Sequence, residues 1–412
     1  MSFDQLGLAA PVLCAVQTAG YTTPTPIQEQ AIPVVLSGRD VFGCAQTGTG
    51  KTAAFALPIL TNLFHNPPVR GHASVLVLAP TRELASQICD SFRVYGKGQR
   101  LSTSVIYGGV SINRQHHELR RGVDIIVATP GRLIDLLDQR MVSLQRIHTL
   151  VLDEADRMMD MGFMPQIKRI LQVVPSQRQT LFFSATVPSE IQKLAASMLN
   201  EPVHISVDPP SSAQATIKQQ RYRVSKDNKR ELLAHLLETQ MDDSVLVFTR
   251  TKHGADKVAR DLQRRGITAD ALHGNKSQAA REKALGGFKN GRTRVLVATD
   301  IAARGIDVRQ LPYVVNFDVP DNAETYVHRI GRTGRAGLDG TAVMLCSTDE
   351  EADVRAIERL LADKIEEVTE HPFALPVVER PVHPAMQKGV GFKKGNSMGR
   401  RSKGRGGFRR PA

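Results

Sequence analysis

Two pairs of apolar strings recur in this chain at a single spacing. "VLVLAPTR" begins at Val75 and "VLVFTR" at Val245, while "IIVAT" begins at Ile125 and "VLVAT" at Val295, so both pairs are offset by 170 residues. Two matches at one offset mark two copies of one unit. The strings are continuous rather than alternating, as strands covered on both faces should be, and "TLVLD" (149–153) and "QTLFFSAT" (179–186) share that character. Helix-spaced segments such as "RELASQICDSFRVYG" and "GRLIDLLDQR" lie between them. This alternation predicts a parallel α/β sheet, and the duplication predicts two such sheets with a cleft between them. A length of 412 residues suits two domains of ~100 to 200 residues each, with room for a tail.

Charge separates that tail from the body. The net charge is +13, yet residues 381–412 hold nine Lys or Arg and no acidic residue, so residues 1–380 carry only +4. A stretch such as "GFKKGNSMGRRSKGRGGFRR" is too rich in glycine and charge to bury a core, and it should be disordered and drawn to polyanions. Cys14, Cys44, Cys89 and Cys346 are too widely spaced for a redox pair or a zinc ligand set, and a reducing cytoplasmic compartment is expected. No apolar run approaches the ~18 residues of a membrane span, and no membrane partner is expected.

The first copy carries a phosphate-loop signal. "AQTGTGKT", from Ala45 through Gln46, Thr47, Gly48, Thr49 and Gly50 to Lys51 and Thr52, follows the short strand "DVFGCA" and precedes the apolar "AAFALPIL". Glycines let backbone N–H groups close around phosphate oxygens, Lys51 reaches the outer phosphates, and the Thr52 hydroxyl is placed for Mg²⁺. Ala45 stands where the usual pattern has glycine. A phosphate-bound Mg²⁺ needs a further oxygen ligand from a neighbouring strand, and Asp153 of "VLDEADRMMD" ends such a strand. Glu154 is placed to orient or deprotonate the attacking water. Asp156 lies too far along for either task and is assigned to linking the site with another part of the chain.

With "DEAD" beside "AQTGTGKT", the chain resembles the DEAD-box family of ATP-dependent RNA helicases. "GYTTPTPIQ" (20–28), "PTREL" (80–84), Gly108–Gly109, "TPGR" (129–132), "SAT" (184–186), "VFTRT" (247–251), "ATDIAARGID" (298–307) and "HRIGRTGR" (328–335) follow in the family's order. The short body, "DRMMDMGF" and the basic tail are most similar to the bacterial RhlE-like subgroup. The resemblance implies two tandem RecA-like parallel-sheet domains with a disordered basic C-terminal tail. Its expected boundaries are 1–29 for an adenine-recognition (Q motif) region, 30–207 for the ATP-binding domain, 208–217 for a linker, 218–370 for the C-terminal helicase domain and 371–412 for the tail.

The resemblance also distributes roles. Phe3, Tyr21 and Gln28 would recognise adenine, Asp307 the ribose, and Arg332 and Arg335 the γ-phosphate from across the cleft. Asp156, Ser184, Thr186 and His328 would form a polar bridge between the domains. Pro80, Thr81, Arg82, Gly108, Gly109, Thr129 and Arg132, with Thr249, Gln278, Arg281 and Thr299, would line an RNA face that reads backbone and not bases. ATP and Mg²⁺ are the implied cofactors. Single-stranded and short duplex RNA are the implied partners, with ribonucleoprotein, ribosome-assembly or RNA-decay complexes behind them. Two other classes remain compatible with parts of the pattern. An ATP-gated RNA clamp or chaperone would use the same residues, and a P-loop metabolic kinase would lack a use for "HRIGRTGR".

Overall fold

The apolar strings of the sequence become rungs of two parallel sheets in a computed structural model, which describes residues 2–46, 48–207, 217–303, 311–334 and 340–375. The first sheet contains β1 (Val41–Cys44), β2 (Val75–Leu78), β3 (Thr103–Ile106), β4 (Ile125–Ala128), β5 (Thr149–Leu152), β6 (Gln179–Ser184) and β7 (Val203–Ser206). Their spatial order is β3-β4-β2-β5-β6-β1-β7. The second contains β8 (Ile217–Arg223), β9 (Val245–Thr249), β10 (Ala269–Leu272), β11 (Val295–Thr299), β12 (Tyr313–Asn316), β13 (Gly340–Cys346) and β14 (Glu366–Val368), in the order β10-β11-β9-β12-β13-β8-β14. Adding seven to each strand number of the first sheet gives the second. The strings repeated at 170 residues are β2 with β9 and β4 with β11, each pair holding the same place in its sheet.

Continuous apolar strands pack cores on both faces of each sheet because successive side chains face opposite ways. Val75, Val77, Ile125 and Val127 pack beneath helices Pro26–Leu36, Lys51–His65 and Arg82–Tyr95. Leu76, Leu78, Ile126 and Ala128 pack on the other face against helices Pro130–Asp138 and Met164–Val173. In the second sheet Val245, Val247, Val295 and Val297 likewise oppose Leu246, Phe248, Leu296 and Ala298. All pairings are parallel, so every strand's C-terminal end lies on one edge of its sheet. That edge is where ligands of such sheets are held.

A buried ion pair anchors the second unit. Lys229, first residue of helix Lys229–Thr239, donates from Nζ to Glu350 Oε2 at 2.6 Å and to the Phe317 carbonyl at 2.9 Å. Ile217, the last residue of the expected linker, already belongs to β8. The rest of that linker (208–216), most of the expected tail (376–412), and Thr47, Asp307 and Arg335 lie outside the described residues. Among the described residues, no helix is long and apolar enough to cross a membrane.

Candidate functional site

The loop after β1 turns sharply into helix Lys51–His65 through Gly50, whose φ of +93° lies in a region that side-chain-bearing residues rarely adopt. A Cβ there would collide with Gln28 Nε2. That same amide nitrogen donates to the Gly50 carbonyl at 3.1 Å, and Gln28 Oε1 accepts from Thr25 N at 3.0 Å. Gln28 therefore ties the N-terminal region to the loop. Lys51 is buried and donates to the Ala45 carbonyl at 2.6 Å, and the Thr49 hydroxyl donates to the Gln46 carbonyl at 2.8 Å. Tyr21 is partly exposed and its hydroxyl lies 3.1 Å from that of Tyr95. Phe3 is buried in the first core.

Beyond β5, Asp153 and Glu154 are almost wholly excluded from solvent. Burial pushes the Asp153 carboxyl up to about 7, with Lys51 pulling against that and Glu154 adding to it. Among the described residues no donor reaches the buried Asp153 Oδ1. A hard cation held on this edge would find there an oxygen ligand with its coordination unmet. Glu154 has φ +55°, an unusual backbone for a non-glycine residue, and it opens the short helix Ala155–Asp160. Burial works against its charge, but the guanidinium of Arg157 at 2.6 Å, Lys51 and Arg332 outweigh it and hold the carboxyl below the usual carboxylate range. Arg332 reaches this carboxylate's field from the second unit, at the end of helix Ala323–Ile330.

Asp156 faces the loop after β6. Its Oδ2 accepts from Ala185 N at 3.1 Å, Thr186 N at 2.9 Å and the Thr186 hydroxyl at 3.0 Å, while Ser184 Oγ donates to the Thr186 carbonyl at 2.7 Å. A pocket of about 260 Å³ opens here, bounded by Gln46, Arg157 and Thr186 on one side and by His328, Arg332 and Leu360 on the other. Asp156, Ser184, Thr186 and His328 are thus gathered at one junction of the two units. The spacing of "DEAD" pointed to Asp156 as a link, and the loop that it grips is "SAT".

A second group of the expected residues meets across the units along a different stretch. Arg82 lies 3.5 Å from Gln278 Oε1, and Arg281 pairs with Glu83 at 2.8 Å. Burial lowers the Arg82 pKa, and Arg281 and Arg132 lower it further by like charge. Gly109, at φ +84°, leaves room for the Arg82 guanidinium, with which a Cβ would collide. Arg132 donates to the Val110 carbonyl and to Gln115 Oε1, each at 3.0 Å. Thr81 caps helix Arg82–Tyr95, Pro80 precedes it, and a Cβ added at Gly108 would stand at ordinary contact distance from the Arg82 guanidinium. Thr129 opens helix Pro130–Asp138, and Thr249 and Thr299 are register partners at the ends of β9 and β11.

Several residues at these sites were not marked by sequence reasoning. Arg157 sits three residues after Glu154 at a helix start, a spacing at which side chains meet, and that was its available signal. Glu83 was hidden inside "PTREL". Arg329, inside "HRIGRTGR", forks onto Asp300 at 2.6 and 2.8 Å and also donates to Asn316 Oδ1 and the Asp318 carbonyl. It holds the helix that delivers Arg332.

Two matching parallel sheets, a glycine loop and buried carboxylates on one, and an arginine-bearing helix end from the other define the tandem RecA-like class. The chain belongs to the DEAD/DEAH box helicase family, which matches residues 25–194, and the helicase conserved C-terminal domain matches residues 228–337. It is 45% identical over 369 residues to ATP-dependent RNA helicase dbp2 of Botryotinia fuckeliana, covering 88% of this chain and 64% of that one. The chain therefore spans somewhat less than two thirds of that relative. RNA helicase CrhR of Synechocystis is 46% identical, with 89% of this chain and 74% of the relative covered. Among solved structures, S. cerevisiae Dbp5 bound to RNA and ADP BeF3 is similar at a TM-score of 0.78 and 31% identity, covering 89% of this chain and 95% of that one.

Proposed function

We propose that the protein is an RNA-dependent ATPase that closes its two domains on ATP and RNA and locally separates short duplexes. The single observation that carries this reading is the junction at Glu154, where Arg332 of the second unit contributes to the field on a buried carboxylate beside the phosphate loop of the first. Hydrolysis placed there can depend on how the two units meet.

In this reading Lys51 exchanges the Ala45 carbonyl for phosphate oxygens, and the backbone from Ala45 to Gly50 cradles them. Thr52 and Asp153 would hold Mg²⁺, which supplies charge neutralisation on the phosphates. The buried Asp153 Oδ1 without a donor supports that assignment. Glu154 aligns the water, and Arg332 and Arg335 stabilise charge on the departing phosphate. Asp156, Ser184, Thr186 and His328 couple hydrolysis to closure. Phe3, Tyr21, Gln28 and Asp307 serve the nucleoside; the buried Phe3 and the bonded Gln28 would act by shaping the pocket wall and sensing the loop.

Arg281 and Arg132 act on Arg82 by like charge, with Glu83 pulling the other way, and a phosphate backbone there would relieve that repulsion, which supports the RNA face. The domain limits expected from the sequence are retained in this proposal, except that Ile217 belongs to β8 and Phe373 packs on the second unit's core. The RhlE-like affinity, which rests on "DRMMDMGF", the short body and the basic tail, is retained as well. The test is ATPase measured with and without single-stranded RNA, beside displacement of a strand from a short duplex. ATP turnover that ignores RNA would overturn the reading.

A further inference from the structure

The edge of the first sheet opposite the phosphate loop is a row of arginines. In spatial order from β3 to β1 the strands are entered just after Arg100, Arg121, Arg70, Arg146, Arg178 and Arg39. The six connections involved (96–102, 120–124, 66–74, 140–148, 175–178 and 37–40) hold nine Lys or Arg and two acids, Asp40 and Asp124. Nine minus two is +7 in a body whose residues 1–380 total +4, so the remainder of that body is at −3.

Asp40 acts by charge on Arg178, and both acids are engaged by backbone donors. Asp40 accepts from Thr180 N and Asn200 N, each at 2.7 Å, and Asp124 from Ser102 N at 2.7 Å. Arg39, Arg70, Arg100, Arg121 and Arg146 are exposed, and among the described residues no carboxylate lies within 4.0 Å of any of the six guanidiniums. In the second unit, by contrast, Arg221, Arg223, Arg250, Arg265 and Arg329 all face carboxylates. There Asp242 and Asp243 precede β9.

The row is also rigid. Backbone hydrogen bonds run from one strand entry to the next: Asp124 N to Ser102 O, Ser74 N to Asp124 O, His148 N to Ser74 O and Gln179 N to His148 O. Gln179 Nε2 closes the series on the Arg39 carbonyl at 2.8 Å. The turns at Gly71 and Gly122 pack so closely that a Cβ on Gly122 would meet Gly71 Cα at 2.9 Å. Six neighbouring strands at ~4.8 Å spacing give a row about 24 Å long.

We infer that this edge is a second, sequence-independent site for an RNA phosphate backbone, separate from the face that holds Arg82 and Arg281. Arg39 and Arg178 donate to the Glu201 and Pro175 carbonyls, and length, fixed spacing and guanidinium forks without a carboxylate within 4.0 Å suit a regular polyanion. The charge row stands by itself, and the choice of RNA rests on the proposed function. RNA long enough to leave the first face could then be held at both edges of one sheet.

The test compares full-length wild type with a variant carrying Arg70→Gln, Arg100→Gln, Arg121→Gln and Arg146→Gln, and with the matching four-lysine variant. The probes are a hairpin RNA with a single-stranded arm and a short single strand. Loss of about four contacts at ~0.7 each should flatten the glutamine variant's salt slope on the hairpin by roughly 3. Wild type should then lose about 50-fold more affinity than that variant between 50 and 200 mM salt, with the lysine variant resembling wild type. ATPase stimulated by the short strand should be the same in all three. Equal salt slopes overturn the inference, and a lowered melting temperature with equal slopes would assign the row to helix C-termini. Separation of the proteins by poly-glutamate but not by the hairpin would name an acidic protein instead, and RNA would fall. Failure of the short strand to stimulate wild-type ATPase would sink the proposed function, and the hairpin titration would judge the row independently.

Discussion

Arg157 Nη1 lies 2.6 Å from Glu154 Oε2, and both side chains are about 95% excluded from solvent. A carboxylate so buried keeps its charge and its orientation only with a partner. Glu154→Gln preserves an acceptor for Arg157 and leaves Lys51, Thr52 and Asp153 in place. It is expected to bind ATP normally and to slow turnover by ~10² to 10⁴, the usual worth of a group that handles the attacking water. Steady-state ATPase beside nucleotide titration checks it, and wild-type turnover would remove Glu154 from the chemistry.

Arg157→Met strips the partner and keeps the bulk. We expect kcat to fall at least tenfold with the KM for ATP little changed, and stability to fall by ~3 kcal/mol, as when a buried pair is broken. Arg157→Lys should recover part of the rate, since charge returns without the planar fork. An unchanged kcat would show that Glu154 is oriented by other groups.

Gly109→Ala asks a side chain to occupy the space of the Arg82 guanidinium at a backbone φ of +84°. Displacing Arg82 should weaken RNA binding about tenfold, in keeping with 1.4 kcal/mol for one charge-assisted contact. ATP affinity without RNA should hold. Fluorescence titration with single-stranded RNA measures the first, and a variant that binds RNA normally would separate Gly109 from Arg82's placement.

The Lys229–Glu350 pair gives the second unit a dependence on acid. Burial opposes the Glu350 charge, but Lys229 and the donors of Ser347 outweigh it, so the carboxyl titrates below its ordinary 4.5. A carboxyl lowered by folding stabilises the fold above its unfolded pKa, and that stability is lost as pH falls through the folded value. Wild type should therefore lose urea resistance below about pH 4.5 more steeply than Glu350→Gln. Parallel pH profiles would mean that other carboxylates dominate acid unfolding.

The strands were legible because burial on both faces leaves a continuous apolar string, and the duplication because β2 and β9 repeat one such string. "AQTGTGKT" and "DEAD" announced themselves through residue types that little else requires together. Pairings across distant segments were not legible. Nothing in the spacing joins Arg281 to Glu83, since almost 200 residues separate them and only the fold brings them to 2.8 Å. Gln28 was read for the hydrogen bonds its amide can make with a base edge, whereas its partners here are Thr25 and Gly50. The arginine row escaped for a related reason: its members are scattered through the sequence, and only parallel strands align them.

The shared winding of the two sheets sets Lys229 where Lys51 stands, each opening the first helix after corresponding strands β1 and β8. Lys51 looks onto a glycine loop, whereas Lys229 is already matched by the Glu350 carboxylate. In one half the lysine's hydrogen bond goes to a carbonyl that an incoming anion can replace; in the other the chain supplies a carboxylate of its own. The halves cannot trade places. In the proposed function, nucleotide enters on one side alone and the sealed half answers its arrival, which would give a pair of near-twins a fixed sense of direction.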